Sequence, residues 1–220
     1  MIRVVLTDIE GTTTPITFVH RTLFPYARER LPAWVGAHPD DPDVASLVAE
    51  LGGVEAAVAQ LLAWSDADVK ATALKAIQGR VWAAGYADGT LVAPLYDDVV
   101  PKLRAWHAAG LRLAVFSSGS VPAQHLLFGH TDAGDLRPLF SGWFDTTTGP
   151  KREAPSYVAI AARLKVAPGE VLFLSDVEAE LDAAAEAGMV TGLLARDGQV
   201  PSRRHPVHTD FSSILRDQGA

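Results

Sequence analysis

Three short apolar segments most strongly limit the folds available to this chain. They are residues 2–7 (IRVVLT), 111–116 (LRLAVF) and 171–174 (VLFL), and each is nearly continuous rather than alternating. A strand covered on one face alternates apolar and polar residues, so continuous runs of this length predict strands buried on both faces. A fourth strand is predicted within residues 189–195 (MVTGLLA). The sequence therefore favours a parallel sheet.

Helical patterns follow these runs. Residues 97–109, 155–165 and 178–187 have helical apolar spacing, and the first and last of these segments stop at Gly110 and Gly188. Strands that alternate with helices form parallel sheets covered on both sides. The predicted fold class is therefore α/β, with a Rossmann-like parallel sheet and helices on both faces.

The segment after the first predicted strand has a different pattern. Residues 16–91 contain Ala- and Leu-rich helical stretches and no strand pattern. We therefore predict a core domain of residues 1–15 and 92–220 and a helical cap domain of residues 16–91, placed over the carboxyl end of the first strand. Phe18 and Gln78 are candidate lining residues of an apolar substrate pocket in the cap. Trp82 is a third candidate, although ordinary helix packing explains it better.

Composition excludes several functions and compartments. The formal charge of −7, with no basic run, argues against nucleic acid or an anionic membrane as a partner. The absence of cysteine excludes disulfides, thiolate metal sites and a cysteine nucleophile. No apolar run reaches the roughly 18 residues of a membrane span, and the first residues lead directly into a strand pattern without a signal sequence. We expect a cytoplasmic protein.

Two carboxylates follow the first strand directly. Asp8 and Glu10 are two residues apart, so in extended chain both side chains point to one side of the sheet edge, where ligands of open α/β sheets bind. Gly11 then allows a turn, and the amides of Ile9, Glu10 and Gly11 are expected to form an anion-binding concavity. This arrangement suits a divalent cation beside a phosphate, although a strand that ends in an ordinary polar turn explains it equally well.

Three more polar clusters follow in order. Ser117 and Ser118, with the Gly119 amide, come after the second strand; Lys151 is expected to open a helix, and Asp176 directly follows the third strand. Each cluster also has a simpler explanation. The serines could belong to an ordinary serine-rich loop, Lys151 could be a surface lysine, and Asp176 could be a helix N-cap. Their joint occurrence at the ends of separate strands favours one active site.

These motifs resemble those of the haloacid dehalogenase superfamily. Within it, the stretches DIEGTTTPITFV, LFPYARE, LKAIQG, FSSGSVPAQHLLFGHTDAGDLRPLFSGWFDTTTGPKREAPSY and FLSDVEAELDAAAEAGM resemble the enolase-phosphatase E1 family of methionine salvage. The resemblance implies a monomeric enzyme with one Mg²⁺ per subunit and a small-molecule phosphate ester as substrate. It implies enolisation of 2,3-diketo-5-methylthiopentyl-1-phosphate, followed by loss of phosphate to give an acireductone.

The resemblance also implies residue roles. Asp8, Glu10 and Asp176 match magnesium positions, and Asp8 matches the nucleophile that forms an aspartyl-phosphate. Ser117, Ser118 and Lys151 match substrate-binding positions, with Lys151 also stabilising charge during phosphoryl transfer. We consider Glu10 the candidate that takes the proton during enolisation, through its side chain, although a metal contact through its backbone carbonyl is the alternative. Glu180 is expected to support the site from nearby.

Several alternatives and negative predictions remain. A generic magnesium-dependent sugar or nucleotide phosphatase is the main rival, followed by a dehalogenase-like hydrolase, a receiver-type signalling module and a non-catalytic binding protein. Receivers are about half this length and lack a cap, and the dehalogenases lack a late magnesium carboxylate such as Asp176. His107, His205 and His208 show no metal-ligand spacing. The tail after Arg196 is turn-rich and expected at the surface.

Overall fold

A computed structural model describes residues 1–196 and 204–215 of the chain. Within these residues, one sheet contains six parallel strands in the order β3-β2-β1-β4-β5-β6. The strands are β1 Val4–Thr7, β2 Arg112–Phe116, β3 Phe140–Phe144, β4 Val171–Ser175, β5 Val190–Leu194 and β6 Val207–His208. The predicted α/β class with a Rossmann-like parallel sheet is confirmed. The chain reverses its direction of winding between β1 and β4, and such a switch point is where open α/β sheets bind ligands.

Both faces of the sheet are buried, as the continuous apolar runs predict. Val4 and Leu6 of β1 pack into one cluster with apolar residues of β2, β4 and the helices that follow β3 and β4. Val5 points to the opposite face and is buried there. β1 pairs in register with β2 on one side and with β4 on the other, so Leu6 lies between Ala114 and Phe173. The carboxyl ends of these three strands therefore meet at one edge.

The two strands that sequence analysis missed lie towards the two ends of the sheet. β3 contains Ser141 and Gly142 and is only partly buried in its middle, so its sequence lacks the apolar run of a central strand. β6 has two residues and pairs with β5. The expectation that the tail after Arg196 lies at the surface is wrong at His205, which is buried, whereas the two residues of β6 are half-buried. Residues 197–203 lie outside the described part.

The three predicted helices of the core agree with the observed spans to within about two residues at each end. The α-helices that follow the helical segment 16–87, within the described part of the chain, are α6 Val99–Ala108, α7 Val121–Gly129, α8 Ala154–Leu164 and α9 Glu178–Glu186. The α7 helix was not predicted. It begins after Ser120, whose side chain accepts from the Ala123 amide, with Pro122 in its first turn. Lys151 lies in a turn three residues before α8, so the prediction that it opens a helix is wrong.

The chain divides into two compact units, one comprising Met1–Ile16 and Ala93–Ala220, the other Thr17–Val92. The second unit is helical. The short helix α1, Ile16–Phe18, begins at the boundary between the two units. The segments that follow it are the π-helical segment Val19–Leu23, α2 Phe24–Ala37, α3 Pro42–Leu51, α4 Val54–Asp66 and α5 Thr72–Ala87. The core of this unit is formed by apolar residues of α2 to α5, among them Leu31, Leu61 and Ile77.

The three cap candidates have different environments within the helical unit. Phe18 and Gln78 are buried, whereas Trp82 is half-buried and donates its indole N–H to the carbonyl of Leu23 at 2.8 Å. The contact of Trp82 accords with helix packing. In the described residues no single helix has the length and apolarity of a membrane span; only α3 and α4 together, bent by 105°, meet those criteria.

Candidate active site

Pairing of the strands brings three of the predicted polar clusters to one edge of the core unit. The Asp8 amide donates to the carbonyl of Leu174 in β4 at 2.9 Å, which fixes Asp8 at the tip of β1. Asp176 follows β4 directly, and Ser117 follows β2. Ser117 and Asp176 are each more than one hundred residues from Asp8 along the chain, yet the sheet register places the three side by side.

The loop after β1 is a tight turn in which several backbone amides donate to carbonyls of the same loop. The amides of Thr12, Thr13 and Thr14 all donate to the carbonyl of Ile9, at 2.8 to 3.2 Å, and the three threonines are fully buried. The Gly11 amide donates to the carbonyl of Thr14 at 2.8 Å. The expectation that the Gly11 amide joins an anion-binding concavity is therefore wrong, because the turn itself uses that donor.

Gly11 is required by its conformation and by a neighbour. Its φ of +74° lies in the left-handed region, which costs other residues about 1 kcal/mol or more. A Cβ at this position would also lie 2.1 Å from Oδ2 of Asp176. The β1 loop and the residue after β4 are therefore in van der Waals contact, which is the placement required if Asp8 and Asp176 are to serve one site.

We expect Gly11→Ala to lower kcat by about 100-fold, because Asp176 must move and small displacements in an active site cost that much. Gly110→Ala is the matched control. Gly110 has a φ of +82°, but a Cβ there meets no atom within 4 Å. An alanine at either position must adopt a positive φ, so thermal unfolding should show a similar loss of stability in both variants. Only Gly11→Ala also displaces Asp176, and steady-state kinetics measure the effect of that displacement. Equal kcat losses in the two variants would contradict this explanation.

Lys151 lies buried between two carboxylates. Its Nζ is 2.7 Å from Oδ1 of Asp8 and 2.7 Å from Oε2 of Glu180, and all three side chains are at most 10% exposed. Glu180 also accepts from the Ser175 hydroxyl at 3.0 Å. Tyr157 of α8 donates its hydroxyl to the carbonyl of Lys151 at 2.6 Å and holds the turn in place. Lys151 is therefore a fixed cation rather than the surface lysine of the simpler explanation.

The charges of this cluster alter one another's pKa values. Burial by itself lowers the pKa of Lys151, but the charges of Asp8 and Glu180 raise it to about 12, so the ammonium stays charged. Burial, and then the charge of Asp8, raise the pKa of Glu180 to about 7. Burial, followed by repulsion from Asp8, also raises the pKa of Glu10. One ammonium therefore faces more carboxylates than it can neutralise.

The residues present fit a magnesium ion. Among residues 1–196 and 204–215, no three acidic, histidine or cysteine side chains form a preformed metal cluster. Mg²⁺ in phosphoryl-transfer sites is commonly held by one or two carboxylates, with water and substrate oxygens completing its shell. Asp8, Glu10 and Asp176 supply carboxylate oxygens at this edge, and a cation would relieve the repulsion between Asp8 and Glu10. Their donor chemistry therefore suits Mg²⁺ bound partly through substrate.

The two serines after β2 have different environments. Ser117 is buried and donates its hydroxyl to Oε2 of Glu10 at 3.2 Å, whereas Ser118 is exposed. The Gly119 amide donates to Oγ of Ser117 at 3.0 Å, so it does not point freely towards a ligand as expected. Ser117 thereby connects the β2 loop to Glu10. The structure gives Ser118 no comparable contact with Asp8, Glu10 or Lys151.

Two residues that sequence analysis did not identify hold this loop. The amide of Gln124 in α7 donates to the carbonyls of Gly119 and Phe144, both at 2.8 Å. Asp145, directly after β3, accepts from the Val121 amide at the start of α7 at 3.0 Å. An acidic residue after a strand is a recognisable signal, but it required β3 to be identified. Gln124 gave no such signal, because the carbonyls of Gly119 and Phe144 come together at its amide only in the folded chain.

Comparisons with known proteins show the family of this chain. A model of haloacid dehalogenase-like hydrolases matches residues 2–188. The enolase-phosphatase E1 of Thioalkalivibrio sulfidiphilus is 54% identical, aligned over 97% of this chain and 99% of that protein. The one from Methylococcus capsulatus is 51% identical, over 97% and 98%. The crystal structure of the UTR4 protein from Saccharomyces cerevisiae is 37% identical with a TM-score of 0.85, over 97% of this chain and all of that one. The chain therefore belongs to the haloacid dehalogenase-like hydrolases and, among them, to the enolase-phosphatase E1 family.

Proposed function

We propose that this chain converts 2,3-diketo-5-methylthiopentyl-1-phosphate into 1,2-dihydroxy-3-keto-5-methylthiopentene and phosphate, as a step of methionine salvage. The observation that carries the proposal is the buried pair of Asp8 and Lys151, with Nζ and Oδ1 2.7 Å apart, at the edge where β1, β2 and β4 end. A nucleophilic carboxylate held against a fixed cation suits attack on a phosphate ester. The family membership supplies the substrate.

In the phosphatase step, an oxygen of Asp8 attacks phosphorus and the bond from phosphorus to the substrate oxygen breaks. The leaving oxygen takes a proton from water, and a second water then hydrolyses the aspartyl-phosphate, which releases phosphate and restores the Asp8 carboxylate. A carboxylate that approaches a phosphate meets a repulsion of about 4 kcal/mol per pair of unit charges at 4 Å and an effective dielectric of 20. Lys151 opposes this repulsion, and Ser117 and Ser118 orient the phosphate. When bound, Mg²⁺ supplies further positive charge for the phosphoryl oxygens.

In the enolase step, Glu10 takes the proton from the carbon that carries the phosphate. The electron pair of that C–H bond forms a double bond to the adjacent carbonyl carbon, and the carbonyl oxygen takes a proton from water to complete the enol. The pKa of Glu10 is raised by burial and by Asp8, and a higher pKa makes a carboxylate a stronger base. The hydroxyl of Ser117, which donates to Oε2 of Glu10, fixes the direction of that carboxylate. A generic sugar or nucleotide phosphatase needs no such base, and this step separates the two functions.

The test follows ultraviolet absorbance and phosphate release together, with the diketone phosphate and Mg²⁺. We expect absorbance of the enol phosphate to rise before phosphate appears, and sugar phosphates to be poor substrates. A generic phosphatase would hydrolyse a sugar phosphate at a comparable rate. No change in absorbance with the diketone would contradict the enolase half of the proposal. We further propose that the protein acts as a cytoplasmic monomer on this small molecule, with neither nucleic acid nor membrane as a partner.

A further inference from the structure

Arg196, the second residue after β5, has a buried side chain that binds a backbone carbonyl and a carboxylate. The side chain is 5% exposed. Its Nε and Nη2 both donate to the backbone carbonyl of Thr12, at 3.1 and 2.8 Å, and its Nη1 donates to Oδ1 of Asp98 at 2.6 Å. A buried guanidinium that binds a backbone carbonyl with two donors fixes the position of that carbonyl.

Aromatic rings and a further hydrogen bond hold Arg196 in place. Its guanidinium carbon lies 4.2 Å from the centre of the Tyr96 ring and 5.2 Å from that of Phe211. The other oxygen of Asp98 accepts from the Phe211 amide at 2.7 Å. Arg196 therefore joins the β1 loop to the residues before α6 and to the segment around Phe211. A lysine provides neither the planar fork nor the stacking surface.

The loop that Arg196 holds is the one that carries the chemistry. Thr12 is the residue after Gly11 and is two residues from Glu10, and the Thr13 carbonyl is bound in turn by the Tyr96 amide at 3.1 Å. Arg196 and Tyr96 thus support the loop from outside it, and neither residue contributes a group to the cluster of Asp8, Lys151 and Glu180.

We propose that Arg196 is a positioning residue, which fixes the turn from Gly11 to Thr13 and thereby the orientation of Glu10 and Asp8. Asp98 serves by orienting Arg196. This inference rests on the proposed function, since it assumes that the two carboxylates react with substrate. It assigns a role in catalysis to a residue at the start of the chain's C-terminal segment, for which the sequence indicated none.

The test compares kcat and KM of wild type, Arg196→Met and Arg112→Met with the diketone phosphate. Arg112 is the matched control. Its Nη1 also donates to a backbone carbonyl, that of Leu164, at 2.8 Å. Arg112 is the first residue of β2, so it lies at the end of the strand opposite to the candidate site. We expect Arg196→Met to lower kcat by about 10- to 100-fold with KM changed by less than about 3-fold, as for a displaced catalytic group. Arg112→Met should lose thermal stability but keep kcat within about 3-fold of wild type.

A third variant, Arg196→Lys, separates geometry from charge. It keeps the positive charge, so full recovery of kcat would overturn the proposal, whereas we expect kcat to remain at least about 5-fold below wild type. An unchanged kcat in Arg196→Met, or equal kcat losses in the two Met variants, would overturn it as well. The same variants are measured with a small aryl phosphate. If wild type hydrolyses only that substrate, the proposed function fails while the role of Arg196 is still tested.

Discussion

Asp8→Asn is expected to abolish phosphate release while the phosphorylated enol accumulates. The asparagine amide has nearly the same shape as the carboxylate but is not a nucleophile, so the aspartyl-phosphate cannot form. Loss of a nucleophile typically lowers kcat by about 10⁴-fold or more. Glu10 remains in place to remove the proton from carbon, so the absorbance of the enol phosphate should rise and persist. Rapid-mixing absorbance together with a phosphate assay measures both steps.

The variant should remain folded, because Lys151 keeps its ion pair with Glu180 when Asp8 is neutralised. Asp135→Asn is the matched control. It makes the same chemical change in the same unit, at an exposed residue paired with Arg137. Exposed pairs contribute little, so this control should retain wild-type rates. Phosphate release by Asp8→Asn at more than about 1% of the wild-type rate would contradict the role of Asp8 as nucleophile.

The central strands of the sheet could be predicted because burial on both faces imposes a pattern on a single segment. β1, β2 and β4 are apolar except at one end residue each, Thr7, Arg112 and Ser175, and no other part of the chain is needed to see this pattern. β3 and β6 lie towards the ends of the sheet, where this demand is weaker. Ser141 is tolerated in β3 because it is exposed, and β6 is too short for a pattern.

The candidate site could be predicted as far as its chemistry follows from strand ends. Asp8, Ser117 and Asp176 come directly after strands, and the register of a parallel sheet then brings them to one edge. The hydrogen bonds of the surrounding loops were beyond prediction, because their partners are brought together only by the tertiary structure. The Gly11 amide donates to the Thr14 carbonyl, and Arg196 donates twice to the Thr12 carbonyl. No local sequence pattern indicates either contact.

The sharing of Lys151 between Asp8 and Glu180 is the feature with the largest expected effect on stability. Lys151→Met removes the ammonium but keeps the apolar volume, so two buried carboxylates lose their counter-ion. Breaking a buried ion pair in this way costs about 3–5 kcal/mol of unfolding free energy. In a chain of this length such a loss lowers Tm by roughly 10 °C. We also expect kcat to fall by at least about 100-fold, since charge stabilisation of the phosphoryl group is lost.

Adding Glu180→Gln to Lys151→Met separates the loss of unfolding free energy from the loss of kcat. It removes one of the two stranded carboxylates, so the double variant should regain part of the unfolding free energy while kcat stays low, as a double-mutant cycle measures. Lys75→Met on α5 controls for the change of side chain. Lys75 lies in the helical unit, and the ion pairs with Asp8 and Glu180 are made by Lys151, so both losses should be absent in this variant.

The pH dependence gives an independent check on Lys151. Lys151 lowers the pKa of Glu180, which is about 7 in the folded protein against 4.5 ordinarily, so removing Lys151 raises that pKa further above its unfolded value. A group with a raised folded pKa contributes stability that is complete below the unfolded pKa and is lost as pH rises through the folded pKa. The stability deficit of Lys151→Met relative to wild type should therefore be small at pH 5 and largest above pH 7. A deficit that is constant over this range would show that Lys151 acts by packing rather than by pairing with Asp8 and Glu180.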